Sequence, residues 1–179
     1  MTNTSAPVRP AVEILPFSPE RTPFFESINK AWIEDMFELE DIDREILSDP
    51  EKHIISRGGD ILFASVEPHG IVGAGALKRH GPGVFELTKM GVSKDARGQK
   101  VGEALLIALL GRAAALGAED LILLTNSDCG PAIHLYEKAG FVHSQEVSTS
   151  FGQSYCRCNV AMRLGGAKLS PAALTILNS

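Results

Sequence analysis

Glu86-Leu87-Thr88-Lys89-Met90-Gly91-Val92-Ser93-Lys94-Asp95-Ala96-Arg97-Gly98-Gln99-Lys100-Val101-Gly102 is the stretch whose reading decides the fold. Its first half continues an extended segment, Val84–Val92. Its second half is polar and glycine-bearing, and it runs into Val101–Leu116, which is apolar at helical spacing. Extended chain, short polar turn, then helix is the local order that places bare helix amides beside a strand end. Those amides carry partial positive charge and hold phosphates well. Gly98 and Gly102 let the backbone approach a ligand closely, and Arg97 and Lys100 add cations. No Gly-Lys-Ser/Thr follows, so this is not a Walker A loop. The Gly70, Gly73 and Gly75 series mimics a glycine-rich loop but falls within a hairpin strand, and it is set aside.

Upstream, Ala11–Leu15 reads as a strand, followed by Pro16, Pro19 and Pro23. Phe25, Ile28, Trp32, Ile33 and Met36 mark a helix over Phe24–Phe37 with Pro23 in its first turn, and Asp41–Leu47 reads as a second. Ile61–Val66 and Ile71–Lys78 form a hairpin, and Gly81-Pro82-Gly83 turns the chain into Val84–Val92. Downstream, Gly117 stops the long helix, and the wholly apolar Leu121–Leu124 reads as a central strand buried on both faces. Pro131–Ala139 is a short helix closed by Gly140. Phe141–Val147 and Tyr155–Leu164 read as the final strands, and Pro171–Leu177 as a helical stretch in a tail. The order predicts a mixed α/β (α+β) sheet with two crossover helices.

Composition bounds the function. The chain has 179 residues, 44% hydrophobic and 22% charged, with a net charge of −5. That predicts one globular domain over 1–179, with 1–9 and 165–179 as accessory tails. The negative balance argues against nucleic acid or a membrane surface as partner. Met1–Pro10 has no apolar core of a targeting segment, and Val101–Leu116 is too short to span a bilayer. Three cysteines (Cys129, Cys156, Cys158) without a pairing pattern fit a reduced cytoplasm. Cys156 and Cys158 would share one face of the last strand, but no His or third Cys lies at ligand spacing, so no metal is expected.

A second feature follows at Ala132-Ile133-His134-Leu135-Tyr136-Glu137-Lys138-Ala139-Gly140-Phe141. Tyr136 shares a helix face with Ile133 and Gly140, with its ring toward the core and its hydroxyl free to emerge at one end. A core tyrosine is the plainer reading when this residue is taken alone. Together the two features carry a resemblance. Glu86–Gly102 resembles the acetyl-CoA-binding segment of the GNAT superfamily of N-acetyltransferases. Thr125-Asn126-Ser127, Pro131-Ala132-Ile133, Leu135-Tyr136-Glu137-Lys138 and Gly140-Phe141 resemble the family's second cofactor segment. The motifs cover residues 86–141, and the flanking elements fit by order.

The resemblance implies the GNAT-like acyl-CoA N-acyltransferase fold: a mostly antiparallel twisted sheet of about seven strands, splayed between the fourth and fifth, with about four helices. It implies acetyl-CoA as co-substrate, with its pantetheine arm in the splay against the backbone of Met90 and Val92. The amides of Arg97, Gly98, Gln99, Lys100, Val101 and Gly102 would hold the pyrophosphate, and Asn126 would face the cofactor. Tyr136 matches the family's general acid, a hydroxyl that stays protonated at neutral pH. Lys100 stands where the family has its middle glycine. Its amide serves as well provided the backbone there needs no positive φ, and its ammonium can add a phosphate contact. Glu86 matches a strand position that bears a catalytic base in some members, against the plainer reading of a solvent-facing strand carboxylate.

In the family the first helices form one wall of the acceptor site, which Trp32 and Phe37 are near enough to line as substrate-binding residues, though core packing explains them as well. Residues 34–51 carry nine carboxylates against Arg44 alone, which would favour a cationic amine if they faced the site; a solvated helix face is the simpler account. The implied reaction is transfer of acetyl from acetyl-CoA to an amine of a small molecule or peptide, by direct attack in a ternary complex. A CoA-binding sensor or interaction module without transfer, and an enzyme for a longer acyl group, are the alternatives. Exposed final strands in this fold often pair between subunits, which leaves a homodimer open.

Overall fold

The structure is a computed structural model that describes residues 11–169. Seven strands form one sheet in the order β1-β2-β3-β4-β5-β7-β6. The strands are β1 Glu13–Pro16, β2 Asp60–Val66, β3 Gly70–Gly81, β4 Val84–Val92, β5 Asp120–Thr125, β6 Val142–His143 and β7 Val160–Gly165. All neighbours run antiparallel except β4 and β5, which are parallel. A parallel pair needs a crossover, and α4 (Val101–Ala115) supplies it. The other helices are α1 Thr22–Met36, α2 Asp41–Ser48, α3 Pro50–His53, α5 Gly130–Lys138 and α6 Gln145–Phe151. Among the described residues no helix is long and apolar enough to cross a membrane.

The two sheet faces are packed by different helices. On one, Leu105, Leu106, Leu109 and Leu110 of α4 are buried with Phe85, Leu87, Leu121 and Leu123. Full burial of each such side chain favours the folded state by about 1.5–3 kcal/mol, which explains why α4 tolerates an almost wholly apolar sequence. Gly117, at φ +82°, ends that helix in the left-handed conformation that glycine adopts without strain. On the other face, Phe25 and Ile28 of α1 and Ile46 and Leu47 of α2 cover Ile61, Phe63, Ala74 and Ala76. A separate cluster joins Val147 of α6 to Ile122 and Ala161. Between these two groups the second face is polar, and the site lies there.

The C-terminal third departs from the sequence reading. The strand expected over Phe141–Val147 is only Val142–His143, and α6 follows. Ser144 caps α6 by accepting from the Val147 amide at 3.2 Å, and Val147 is then buried against the sheet. The strand expected from Tyr155 begins at Val160. Residues 155–159 form a loop instead, because Arg157 reaches across to α2. Cys156 and Cys158 therefore do not share a strand face. Gly165 closes β7 and Gly166–Leu169 makes a 3-10 turn with Leu169 buried, so these residues pack with the domain rather than trailing from it. The stretch 1–9 and the helix expected over 171–177 lie outside the described residues.

Candidate active site at the splay of β4 and β5

β4 and β5 pair from Val84↔Asp120 to Leu87↔Leu123 and then separate. β4 continues to Val92, and β5 continues to Thr125 while paired to β7. Thr88–Val92 thus has a strand partner, β3, on one edge only. The local cause is a bulge. Ala76 faces Thr88 and Ala74 faces Gly91, so Lys89 and Met90 together oppose Gly75. Lys89 takes φ +50° to make it. The bulge turns the Lys89 side chain away from the α4 core, while Met90 packs on that core. On its β5 side, the β4 edge beyond Leu87 has no strand partner among the described residues.

Trp32 and Phe37 line the gap at one wall, with Thr125, Asn126 and Cys129 at the other. Trp32 is fixed by its indole N–H, which donates to Asn29 Oδ1 at 2.9 Å, and it lies against Gly91, where no Cβ would fit. Asn126 donates to the Arg157 carbonyl at 2.6 Å and accepts from the Asp128 amide at 2.8 Å. Its amide group thus ties the β5 end to the 155–159 loop while lining the gap.

At the mouth, Lys94–Ala96 forms a 3-10 turn and Gly98 sits at φ +79°. Among the described residues, the amides of Gly98, Gln99 and Lys100 donate to no backbone acceptor. The first amides of α4 extend this row. Lys100 has φ +61°, so the backbone does require the left-handed conformation at the position where glycine was expected. The chain keeps the loop shape with a residue that is strained in it.

Tyr136 is buried on α5, with its ring edge-on to Phe141 at 5.9 Å. Tyr136 lines the gap, and its hydroxyl is not among the buried polar atoms left without a partner. Burial, with a smaller contribution from Cys129, pushes its pKa up to about 12. The group is a protonated donor at any physiological pH.

Below the gap lies a buried charge cluster. Lys89 Nζ donates to Asp43 Oδ1 at 2.7 Å and to the Tyr155 hydroxyl at 3.1 Å. Arg157 grips both oxygens of Asp43, at 2.5 and 2.9 Å, and reaches Glu40 at 3.1 Å. Burial acts to raise the Asp43 pKa, but the bonds from Arg157 and the charge of Lys89 outweigh it and hold it at about 2. Burial pulls Lys89 down and Asp43 partly restores it. Both cations also sit over the Tyr155 ring, Lys89 Nζ at 4.2 Å and the Arg157 guanidinium at 4.9 Å from its centre.

The family model for the acetyltransferase (GNAT) domain matches residues 57–143, the segment that holds the splay, the mouth and Tyr136. Residues 57–143 form a GNAT acetyltransferase domain. Among solved structures, a GNAT-family acetyltransferase from Staphylococcus aureus Mu50 superimposes with TM-score 0.77 at 20% identity, covering 87% of this chain and 99% of that one. A GNAT phosphinothricin acetyltransferase from Sinorhizobium meliloti, in complex with acetyl-CoA, gives TM-score 0.68 at 18% identity, covering 86% and 88%. Among curated relatives, a mycothiol acetyltransferase from Corynebacterium glutamicum is 35% identical over 85 residues, 48% of this chain and 29% of the relative. One from Nocardioides is 37% identical over 86 residues, 47% and 28%. The GNAT domain here thus covers less than a third of the length of the curated relatives it matches.

The sequence-predicted residues fall into two groups. Met90, Asn126, Tyr136, Trp32 and Phe37 line one gap, whereas Val92 and Arg97–Gly102 are not among its lining and follow at the C-terminal end of β4. Glu86 does not line the gap. It is almost fully buried at the closed end of the β4–β5 pair, and its Oε2 lies 2.6 Å from His80 Nε2. It is not a solvent-facing strand residue. Thr88, Lys89, Tyr155 and Arg157 line the gap without having been predicted. A lysine amid Leu87, Met90 and Val92 was the one visible sign of them. The acidic surplus of 34–51 is partly consumed, because Asp43, Glu40 and Asp35 pair with Lys89, Arg157 and Lys94.

Proposed function

We propose that this chain transfers the acetyl group of acetyl-CoA to an amine by direct attack. The observation that carries the reading is the open edge of β4 beside Tyr136, with free amides at the mouth. These features fit acetyl-CoA: a strand edge for the amide-bearing arm, and donors for a diphosphate. The bound thioester supplies an activated acetyl carbon.

The chain's own residues then have distinct tasks. The Met90–Val92 edge orients the arm and gives a main-chain N–H to the carbonyl oxygen. An amine nitrogen forms the new C–N bond as the C–S bond breaks, and Tyr136 gives its proton to the departing sulfur. Glu86, bonded to His80 and outside the gap, is not placed to take the amine's own proton, which leaves to water in the gap. Trp32 and Phe37 form the wall against which the acceptor lies. The name shared by the curated relatives, mycothiol acetyltransferase, agrees with acetyl transfer as the chemistry.

The test is calorimetric titration of CoA together with thiol release from acetyl-CoA across amines, amino acids, polyamines and peptides. Binding plus acceptor-dependent release is the expected result. Binding without release for any acceptor would leave a CoA-binding module, and no binding would end the assignment.

A further inference from the structure

The ionisable groups on the gap wall are not the ones that the acidic stretch 34–51 suggests. Lys89 and Arg157 line it, and among the described residues no aspartate or glutamate does. Asp43 is fully buried behind them and turned inward, with both oxygens already accepting hydrogen bonds. An ammonium entering here meets donors and no free carboxylate.

Only Arg157 still has hydrogens to give, because the Lys89 ammonium is sealed between Asp43 and Tyr155 with 1% of its side chain exposed. A guanidinium has five N–H bonds; Arg157 directs NH1 to Glu40 and Asp43, and NH2 to Asp43. Its Nε–H and a second NH2 hydrogen remain, and those donors suit a planar anion. The cations are not placed for the cofactor's diphosphate, whose donors lie at the far end of β4 around Gly98–Lys100. Trp32 and Phe37 on the same wall offer an apolar surface next to this anion position.

We infer that the acceptor is an amine carrying a carboxylate close to its nitrogen, with the carboxylate received by the remaining donors of Arg157 and the remainder of the molecule by Trp32 and Phe37. The inference rests on the transferase reading above and narrows its acceptor to the amino-acid class. Asp43 then holds the guanidinium in place when no acceptor is present, so it need not reorganise on binding.

The experiment is thiol release by the wild-type chain with matched series: common α-amino acids, each against its α-amide and against the amine that lacks the carboxyl carbon. A kcat/KM at least ten-fold higher for the acids is expected, residing mainly in KM. Equal or higher values for the amides or amines would overturn the inference and leave acetyl transfer standing. CoA binding with no release from any amino acid, but release from polyamines or peptides, would also overturn it. Arg157→Lys, which keeps a cation for Asp43 but loses the planar fork, should narrow the gap between acid and amide. If that variant does not fold, the wild-type comparison still decides.

Discussion

Lys89 Nζ and Asp43 Oδ1 are 2.7 Å apart, and neither side chain has more than 1% of its surface exposed. An ion pair this dry gains its strength from geometry and extra hydrogen bonds, because desolvation alone would disfavour it. Its two ends are unequal. Asp43 also holds Arg157, whereas removal of Lys89 leaves Asp43 still gripped on both oxygens. Asp43→Ala should therefore cost about 3–5 kcal/mol, by leaving two buried cations, and Lys89→Met distinctly less. Urea unfolding of both variants checks the order, and equal losses would contradict it.

The same carboxylate sets an acid limit. Its folded pKa of about 2 lies below the model-compound value of 3.8. A depressed carboxylate contributes stability above its unfolded pKa and loses that contribution as pH falls through the folded one. The window is thus from about pH 4 down to about pH 2, and the contribution is about 2 kcal/mol. Thermal unfolding should show a steep decline in that window for the wild type, and a much flatter one for a folded Asp43→Asn variant.

What could be read from the sequence depended on range. The α4 leucines, the buried run Leu121–Leu124 and the turn glycines announce themselves within a few residues, and the element order as far as α5 followed from them. The Gly98–Gly102 turn was legible for the same reason, whereas Tyr136, a plain core tyrosine when taken alone, was singled out only by the resemblance. Lys89, Asp43, Tyr155 and Arg157 were not. Their contacts span 46 to 114 residues, and the left-handed bulge that aims Lys89 has no local signature when its residue is not glycine. α6 was hidden because Val147, Thr149 and Phe151 alternate as a strand would. The helix is selected by the Ser144 cap and by Val147 packing on Ile122.

Tyr136 stays protonated to about pH 12, so its deprotonation cannot produce an alkaline fall in rate below about pH 11. Tyr136→Phe keeps the ring packing against Phe141 and removes only the donor. Turnover should fall by about 10²–10⁴-fold while CoA affinity barely moves. Steady-state rates with calorimetric titration measure both, and an unchanged kcat would remove Tyr136 from the chemistry.

Lys100 is held at φ +61° in the turn before α4, a conformation that costs a non-glycine residue about 1 kcal/mol. Lys100→Gly should relieve it and raise the midpoint of thermal unfolding by about 2–4 °C. If the ammonium also contacts phosphate, as its position suggests, CoA binding should weaken in that variant and depend less on salt. Calorimetry at two ionic strengths reads both effects. A lower unfolding midpoint would show that the strain is absorbed elsewhere.

Gly91 and Trp32 are in such close contact that a Cβ on Gly91 would overlap the indole ring. The glycine is paired in register with Ala74, so β4 cannot shift to make room. The ring would have to move, and Asn29 ties it in place through the 2.9 Å bond to its N–H. Gly91→Ala should thus destabilise the domain by about 1–3 kcal/mol, the usual cost of overpacking. It should also displace a wall of the gap and raise acceptor KM more than it affects CoA binding. A shifted Trp32 fluorescence maximum, from the chain's single tryptophan, would report the displacement directly. An unshifted spectrum with unchanged KM would show that the wall does not depend on this contact.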